Sequence, residues 1–221
     1  DGRIGRVFAV YTEMNWSRIE SWHADPEGFY QPGAGPLLDV GVYPLTLITT
    51  LLGPIRRVTG FAGITLPERL IERGPRAGQT FPVRTPDLVV GGLEFASGVL
   101  GRITASFVLY GTKQMSGTEL HGEHGSLFIS SNHDFHASVE HLDEATREWQ
   151  PVPCVAPPYK GVDWGRAIFE LSDVLRRGAP QRVTGRQALH VLEVCLGILQ
   201  SAQEGHPVEV TSRFDPPAPV E

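Results

Sequence analysis

The sequence predicts an α+β fold: a mostly antiparallel open sheet with helices packed on one face. The first observation behind this is the order of elements, a strand, a helix, a run of strands and then two helices. That order lacks the β-α-β-α alternation of a doubly wound fold. The second is turn chemistry, since apolar runs meet at short turns such as Ala96-Ser97-Gly98, a hairpin signal. The third is alternation along one strand. Val99, Ile103, Ala105, Phe107 and Leu109 fall on one side, and Arg102, Thr104, Ser106 and Tyr110 on the other. One face of the sheet is thus covered and the other open.

Residues 4–12 are rich in Val, Phe and Tyr and predict the first strand. The stretch "EMNWSRIESWHADPEGFYQPGAG" follows, with two Trp, a His, a Phe-Tyr pair, two Pro and three Gly. It reads as an irregular loop longer than a compact domain needs, and such loops carry function. "GPLLDVGVYPLTLITTLLG" then predicts a helix, with Pro36 suited to its first turn and Gly53-Pro54 to its end. Pro44 removes a backbone donor inside it, so the helix should kink or restart near Val40.

Residues 55–64 predict a strand and 66–86 a polar excursion. "DLVVGGLEFASGVLGRITASFVLYG" gives two strands, "TELHGEHGSLFIS" a short hairpin, and "ASVEHL" with "REWQPV" a third hairpin. After the loop "PVPCVAPPYKG", Trp164, Ile168, Leu171, Val174 and Leu175 recur at helical spacing up to Gly178. "GRQALHVLEVCLGILQSAQEG" predicts a more deeply buried helix ending at Gly205, and the tail "RFDPPAPVE" an extended segment. No internal repeat or low-complexity segment appears.

Composition narrows the function classes. With 221 residues, 41% of them hydrophobic and 20% charged, the chain is globular and can bury a sizeable core. Its net charge of −6 and the lack of a basic stripe argue against a nucleic-acid partner. No unbroken apolar run reaches membrane-span length, and "VLEVCLGIL" is interrupted by Glu193. Cys154 and Cys195 do not make a disulfide framework, so a reducing cytoplasm is the expected location. The chain opens on Asp-Gly with neither an initiator Met nor a signal-peptide pattern. Asp1 therefore reads as a position inside a longer polypeptide, or the start of a processed one.

Few residues carry chemistry. Gly33 and Gly35 match part of a dinucleotide fingerprint, but Leu38 stands where the third glycine belongs and no buried strand precedes them. Cofactor-binding residues are therefore not expected in this chain. His133, His136 and His141 cluster with Asp134, and His121 lies near His124, but none has metal-ligand spacing. A solvated polar hairpin is the reading there. No G-x-S-x-G elbow supports nucleophilic catalysis.

Asp39 and Tyr43 remain. Four apart on a helix, they fall on one face, with Thr46 and Thr50 continuing the stripe. A structural reading is open: the carboxylate suits the positive end of a helix dipole, and the phenol suits a core with its hydroxyl tied off. A functional reading is equally open. A carboxylate and a phenol beside an aromatic loop suit a sugar or polyol, supplying hydroxyl partners and a proton-transfer group.

The blocks "GRIGRV", "GAGPLLDVGVYPLTLITTLLGPIRRVTG", "LEFASGVLGRITASF", "ELHGEHGSLFIS" and "GRQALHVLEVCLGILQSAQEGHPVEV" together resemble the C-terminal domain of the glucose-fructose oxidoreductase / inositol dehydrogenase family (Gfo/Idh/MocA). The resemblance runs over essentially the whole chain and implies a single domain, 1–221. It further implies a partner that this chain lacks, an N-terminal Rossmann domain that binds NAD or NADP and carries the catalytic Lys of an E-K-P motif. On the family pattern Asp39 matches the motif Asp, and Tyr43 falls where many members have His and some have Tyr. Ala34 departs from the pattern's middle glycine.

The implied function is the substrate-side half of an NAD(P)-dependent oxidoreductase acting on a sugar, polyol or related carbonyl compound, inactive alone. Leu37, Val40, Leu45 and Ile48 would dock the helix, while Asp39 and Tyr43 face the cleft. A free phenol titrates near ~10, so Tyr43 needs a neighbouring cation to exchange its proton near neutrality. Trp22, His23 and Tyr30 are candidates for the substrate wall, with loop packing as their plain alternative. The resemblance also implies a homo-oligomer through the open sheet face, which Leu100, Val108 and Tyr110 make too apolar to be merely solvated. The rival reading is a non-catalytic sugar-binding or dimerisation module of the same fold.

Overall fold

The structure is a computed structural model that describes residues 2–113, 115–134, 136–153, 165–182 and 184–217. Cys154, Trp164 and the end of the tail lie outside the described residues. Strand β1 (Val7–Asn15) starts later than the sequence suggests. Residues 2–5 form a turn instead, with the Gly5 N–H donating to the Gly2 carbonyl at 3.0 Å. Two short 3-10 turns, Ile19–Ser21 and Glu27–Tyr30, then interrupt the long loop.

The predicted helix is two helices, α1 (Pro36–Asp39) and α2 (Val42–Leu52), broken at Val40 and Gly41. Strand β2 (Ile55–Gly63) follows as expected. The polar excursion contains a small two-stranded sheet the sequence did not suggest, β3 (Glu68–Leu70) with β4 (Thr80–Pro82). Next come β5 (Leu88–Phe95), β6 (Leu100–Ser106), β7 (Ser116–Gly122), β8 (Gly125–Ile129), β9 (Val139–Asp143) and β10 (Trp149–Val152). Helices α3 (Arg166–Arg177) and α4 (Gly185–Glu204) and the short strand β11 (Val208–Glu209) complete the order.

Among the described residues nine strands form one sheet in the order β10-β9-β8-β7-β1-β6-β5-β2-β11. Only β1 and β6 run parallel, with Tyr11 opposite Arg102, and every other pairing is antiparallel. Helices cover one face. Val10, Val58, Val89, Leu93 and Ile103 of the sheet meet Leu37, Leu45 and Ile48 of α1 and α2, and Val194 and Ile198 of α4, in the main core. Gly60 is what lets α4 approach β2, since a Cβ there would stand 2.2 Å from the Ile198 carbonyl oxygen. Thr184 caps α4 by accepting from the Gln187 N–H at 3.2 Å. By contrast no residue of α3 is buried. The open face carries Tyr11, Arg102 and Glu13, with Phe61, Val90 and Leu100 among its exposed apolar residues.

A second core lies under the long loop. Met14, Ile19, Tyr30, Val40, Ile71, Phe81, Val83 and Phe107 pack together there. The β3–β4 excursion closes it, and Arg69 explains why a polar segment folds in. Its guanidinium, 1% exposed, meets Glu20 at 2.8 Å and Asp87 at 2.6 Å, both carboxylates also buried. Asp87 further accepts from the backbone N–H groups of Thr65 and Leu66. A buried cation with both carboxylates hydrogen-bonded is the form in which charge is tolerated in a core. The loop is therefore anchored, and its aromatic residues are held in place.

Candidate functional site

A cleft of about 620 Å³ opens between the long loop, the break separating α1 from α2, and the β8–β9 connection. Asp39, Tyr43 and Trp22 all line it, together with Trp16, Asn132 and His133. The break in the helix sets the first two. Asp39 ends α1, its N–H donating to Gly35 at 3.0 Å, and the chain turns so that the Gly41 N–H reaches Pro36. A Cβ on Gly41 would lie 2.6 Å from the Leu37 carbonyl oxygen, so this turn depends on glycine. The Tyr43 N–H then donates to Val40 at 3.2 Å, not to Asp39 as in one continuous helix. The two side chains reach the same cleft although the ladder between them is interrupted.

The stripe does not extend to the threonines. Thr46 and Thr50 hydroxyls donate to the Val42 and Thr46 carbonyls of their own helix. Gln187 of α4 donates to the Thr46 carbonyl and to the Thr49 and Thr50 hydroxyls. Those hydroxyls serve helix packing, which corrects the expectation of a four-residue polar face.

Asp39 and Tyr43 differ from packed polar groups. Tyr43 is 38% exposed. Among the described residues no hydrogen bond engages its hydroxyl or the Asp39 carboxylate. Partial burial pushes the Asp39 pKa above the ordinary carboxylate value even though the residue keeps access to solvent.

The three proposed wall residues separate. Trp22 is exposed on the cleft. His23 sits behind it, edge-on to Trp22 and Phe29 at 5.5 and 5.0 Å between ring centroids, with Nδ1 accepting from the Asp25 N–H. Tyr30 is not on the wall at all. It is fully buried, its hydroxyl donating to Glu20 at 2.6 Å and accepting from the Ile19 N–H at 3.3 Å. Burial and the Glu20 carboxylate push its pKa upward, so it stays a neutral strut of the loop.

Trp16, Asn132 and His133 were not read as cleft residues; the sequence placed His133 in a solvated polar hairpin. The available signal was the distance between "SLFIS" and "ASVEHL", longer than a tight hairpin turn requires. Asn132 ties that connection down, donating through Nδ2 to the carbonyls of Glu13 at 2.8 Å and Gly117 at 3.1 Å and accepting from the Thr118 hydroxyl at 2.6 Å. His133 stacks edge-on against Trp16 at 4.9 Å and lies 6.5 Å from the Tyr43 ring. Burial holds its pKa below the usual imidazole value, against the opposing pull of Asp134.

A smaller hollow of about 350 Å³ adjoins Asp39 along Gly33 and Ala34. The Ala34 and Gly35 N–H groups donate internally to Gln31 and Phe29, and Pro36 has none. No group of three or more metal-ligating side chains occurs among the described residues, and no helix among them is long and apolar enough to cross a membrane.

Residues 1–128 match the family model of the GFO/IDH/MocA C-terminal domain. Levoglucosan dehydrogenase of Pseudarthrobacter phenanthrenivorans is 25% identical over 146 residues, which cover 59% of this chain and 36% of that protein. Among solved structures, levoglucosan dehydrogenase in complex with NADH and L-sorbose superposes with a TM-score of 0.73 at 21% identity, covering 96% of this chain and 61% of that one. An oxidoreductase domain protein from Kribbella flavida gives a TM-score of 0.75 at 22% identity, covering 96% and 60%. These likenesses share the open-sheet fold. This chain spans only part of each relative's length.

Proposed function

We propose that this chain, which belongs to the GFO/IDH/MocA family, is the substrate-side half of an NAD(P)-dependent oxidoreductase acting on a sugar, polyol or related carbonyl compound. One observation carries the reading: a phenol and a carboxylate, both free of protein partners among the described residues, meet at one Trp-lined cleft. Polar groups placed sparsely on an apolar wall are how a pocket orients a polyhydroxy ring. The levoglucosan dehydrogenase relative supports the substrate class.

The residues present fit the carbinol side of that chemistry. A nicotinamide, when bound, exchanges the hydride, and no residue of this chain is assigned to hold it. Tyr43 exchanges a proton with the carbinol oxygen, the role of a positioned acid/base. Asp39 orients a neighbouring hydroxyl or a cation. A phenol in that role needs a cation close by. No Lys or Arg lines the cleft among the described residues, and the sequence contains no E-K-P motif. In this proposal the nucleotide domain of the longer protein supplies the cation, as the family pattern implies, and the chain is inactive without it. Self-association through the open sheet face belongs to the same proposal, supported by exposed Phe61, Val90 and Leu100 beside the Arg102–Glu13 ion pair.

The test is the full-length protein offered NAD+ or NADP+ with a panel of neutral sugars and polyols. Appearance of reduced nicotinamide supports the proposal. Sugar binding without turnover would instead favour a non-catalytic module.

A further inference from the structure

We propose that His133 is a specificity-determining residue of this cleft, its imidazole reading a hydroxyl of an uncharged sugar ring between Trp16 and Tyr43. The proposal rests on the oxidoreductase reading and narrows its substrate class to neutral sugars and polyols. Three features of the structure carry it.

The first is how firmly the ring is presented. Asn132 bonds the ends of β1 and β7 through its side chain, and its backbone N–H donates to the Ser116 hydroxyl at 3.0 Å. The residue that carries the imidazole is thus tied to the sheet and does not ride on a free loop. Trp16 then limits the ring's rotation from one side at 4.9 Å.

The second is the tautomer the network selects. Ser131 Oγ accepts from the backbone N–H groups of His133 at 3.4 Å and Asp134 at 3.2 Å. With both lone pairs engaged, its hydroxyl proton is left for His133 Nδ1, 3.2 Å away. Nδ1 is therefore the acceptor and Nε2 carries the hydrogen. Among the described residues no protein group takes up Nε2. The neutral ring offers one N–H donor from the cleft wall, suited to a hydroxyl or ring oxygen. Burial favours that neutral form and the Asp134 carboxylate beside it opposes it, while Asp39 lines the same cleft.

The third is the sign of the charge. The charged side chains lining the cleft are Asp39 and Asp134, and no lysine or arginine is among the described lining residues. A phosphate or carboxylate on the substrate would lose its water and face the like charges of Asp39 and Asp134 on this chain's wall, and the cation proposed from the nucleotide domain is there to serve Tyr43. That arrangement disfavours an anion, whereas a neutral ring can lay an apolar face on Trp16 and Trp22.

The experiment uses the full-length protein with its nicotinamide cofactor. The panel is levoglucosan, myo-inositol and glucose against glucuronate and glucose 6-phosphate. Wild type should turn over at least one neutral member and neither anionic one. His133→Phe keeps the ring and loses the donor, so KM for the neutral substrate should rise ~3–10-fold with kcat nearly unchanged. His133→Gln should recover part of that loss through its amide N–H. His133→Arg should admit glucuronate. Melting temperatures of the three variants report whether the fold is kept. Wild-type activity with an unchanged KM in His133→Phe, or equal use of glucuronate by wild type, overturns the proposal. No turnover of any panel member overturns the oxidoreductase reading, and this proposal falls with it.

Discussion

Tyr30→Phe separates a core tyrosine from a cleft tyrosine. The substitution removes one oxygen and leaves the ring packed between Phe81 and Phe107, at centroid distances of 5.5 and 5.9 Å. That oxygen makes two hydrogen bonds in the core, donating to the Glu20 carboxylate at 2.6 Å and accepting from the Ile19 N–H at 3.3 Å. A hydrogen bond to a charged group is worth about 1.5–3 kcal/mol, and the buried N–H left behind has its own desolvation cost. The expected loss is therefore about 2–4 kcal/mol. For a chain of this size that corresponds to roughly 4–16 °C in Tm. Urea unfolding followed by tryptophan fluorescence measures it, because Trp16 and Trp22 flank the loop that Tyr30 supports. A loss below about 0.5 kcal/mol, small for any change at a buried polar group, would refute the assignment of Tyr30 to the core. So would a raised KM at unchanged stability.

Gly60→Ala should destabilise the chain by about 1–3 kcal/mol or more, because the new Cβ would stand 2.2 Å from the Ile198 carbonyl oxygen; an unchanged urea midpoint would contradict the packing of α4 on β2. Acid should act in two stages. His190 is buried and its Nε2 accepts from the Ile55 N–H at 2.9 Å, with Ser212, Glu193, Arg213 and Phe214 around it. Burial lowers its pKa below the unfolded value near ~6.5, so its stabilisation is complete above that pH and is lost as pH falls below it. Burial pushes the Glu193 pKa up, but the Ser212 and Thr211 donors together outweigh it and lower it to about 2, so Glu193 adds stabilisation present above its unfolded value of 4.5 and lost as pH falls toward about 2. Thermal melts against pH should show both stages, and His190→Gln should remove the first. Sedimentation at micromolar concentration should show self-association that Leu100→Glu weakens; a monomer throughout would exclude the open face as an interface.

The parts of the fold legible in the sequence are those written in periodicity and turns. The hairpins at Ala96-Ser97-Gly98 and Gly122–Gly125 and the terminations at Gly53, Gly178 and Gly205 follow from local chemistry. The helix break near Val40 was legible because a proline lacks a donor wherever it folds. The β3–β4 pair was not legible, since a segment that reads as polar folds in through Arg69, whose partners Glu20 and Asp87 lie far from it in sequence. Tyr30 was misread for a related reason. An aromatic in a functional loop looks like a wall until the carboxylate that ties its hydroxyl is located. Asp39 and Tyr43 were read as neighbours from a helical spacing that the structure interrupts, and both still line one cleft. His133 read as part of a solvated polar hairpin because its ring neighbours, Trp16 and Tyr43, lie in two other segments of the chain.

The most direct measurement of the central claim is steady-state turnover by the full-length protein with Tyr43→Phe, on a neutral sugar that wild type oxidises well. The ring still fills its place, and no protein hydrogen bond is lost among the described residues, so the melting temperature should hold. Turnover should fall by ~10²–10⁴-fold, the usual worth of a positioned acid/base, with cofactor affinity unchanged. A rate equal to wild type would contradict the assignment of the proton to Tyr43 and the reading of the cleft as a catalytic site.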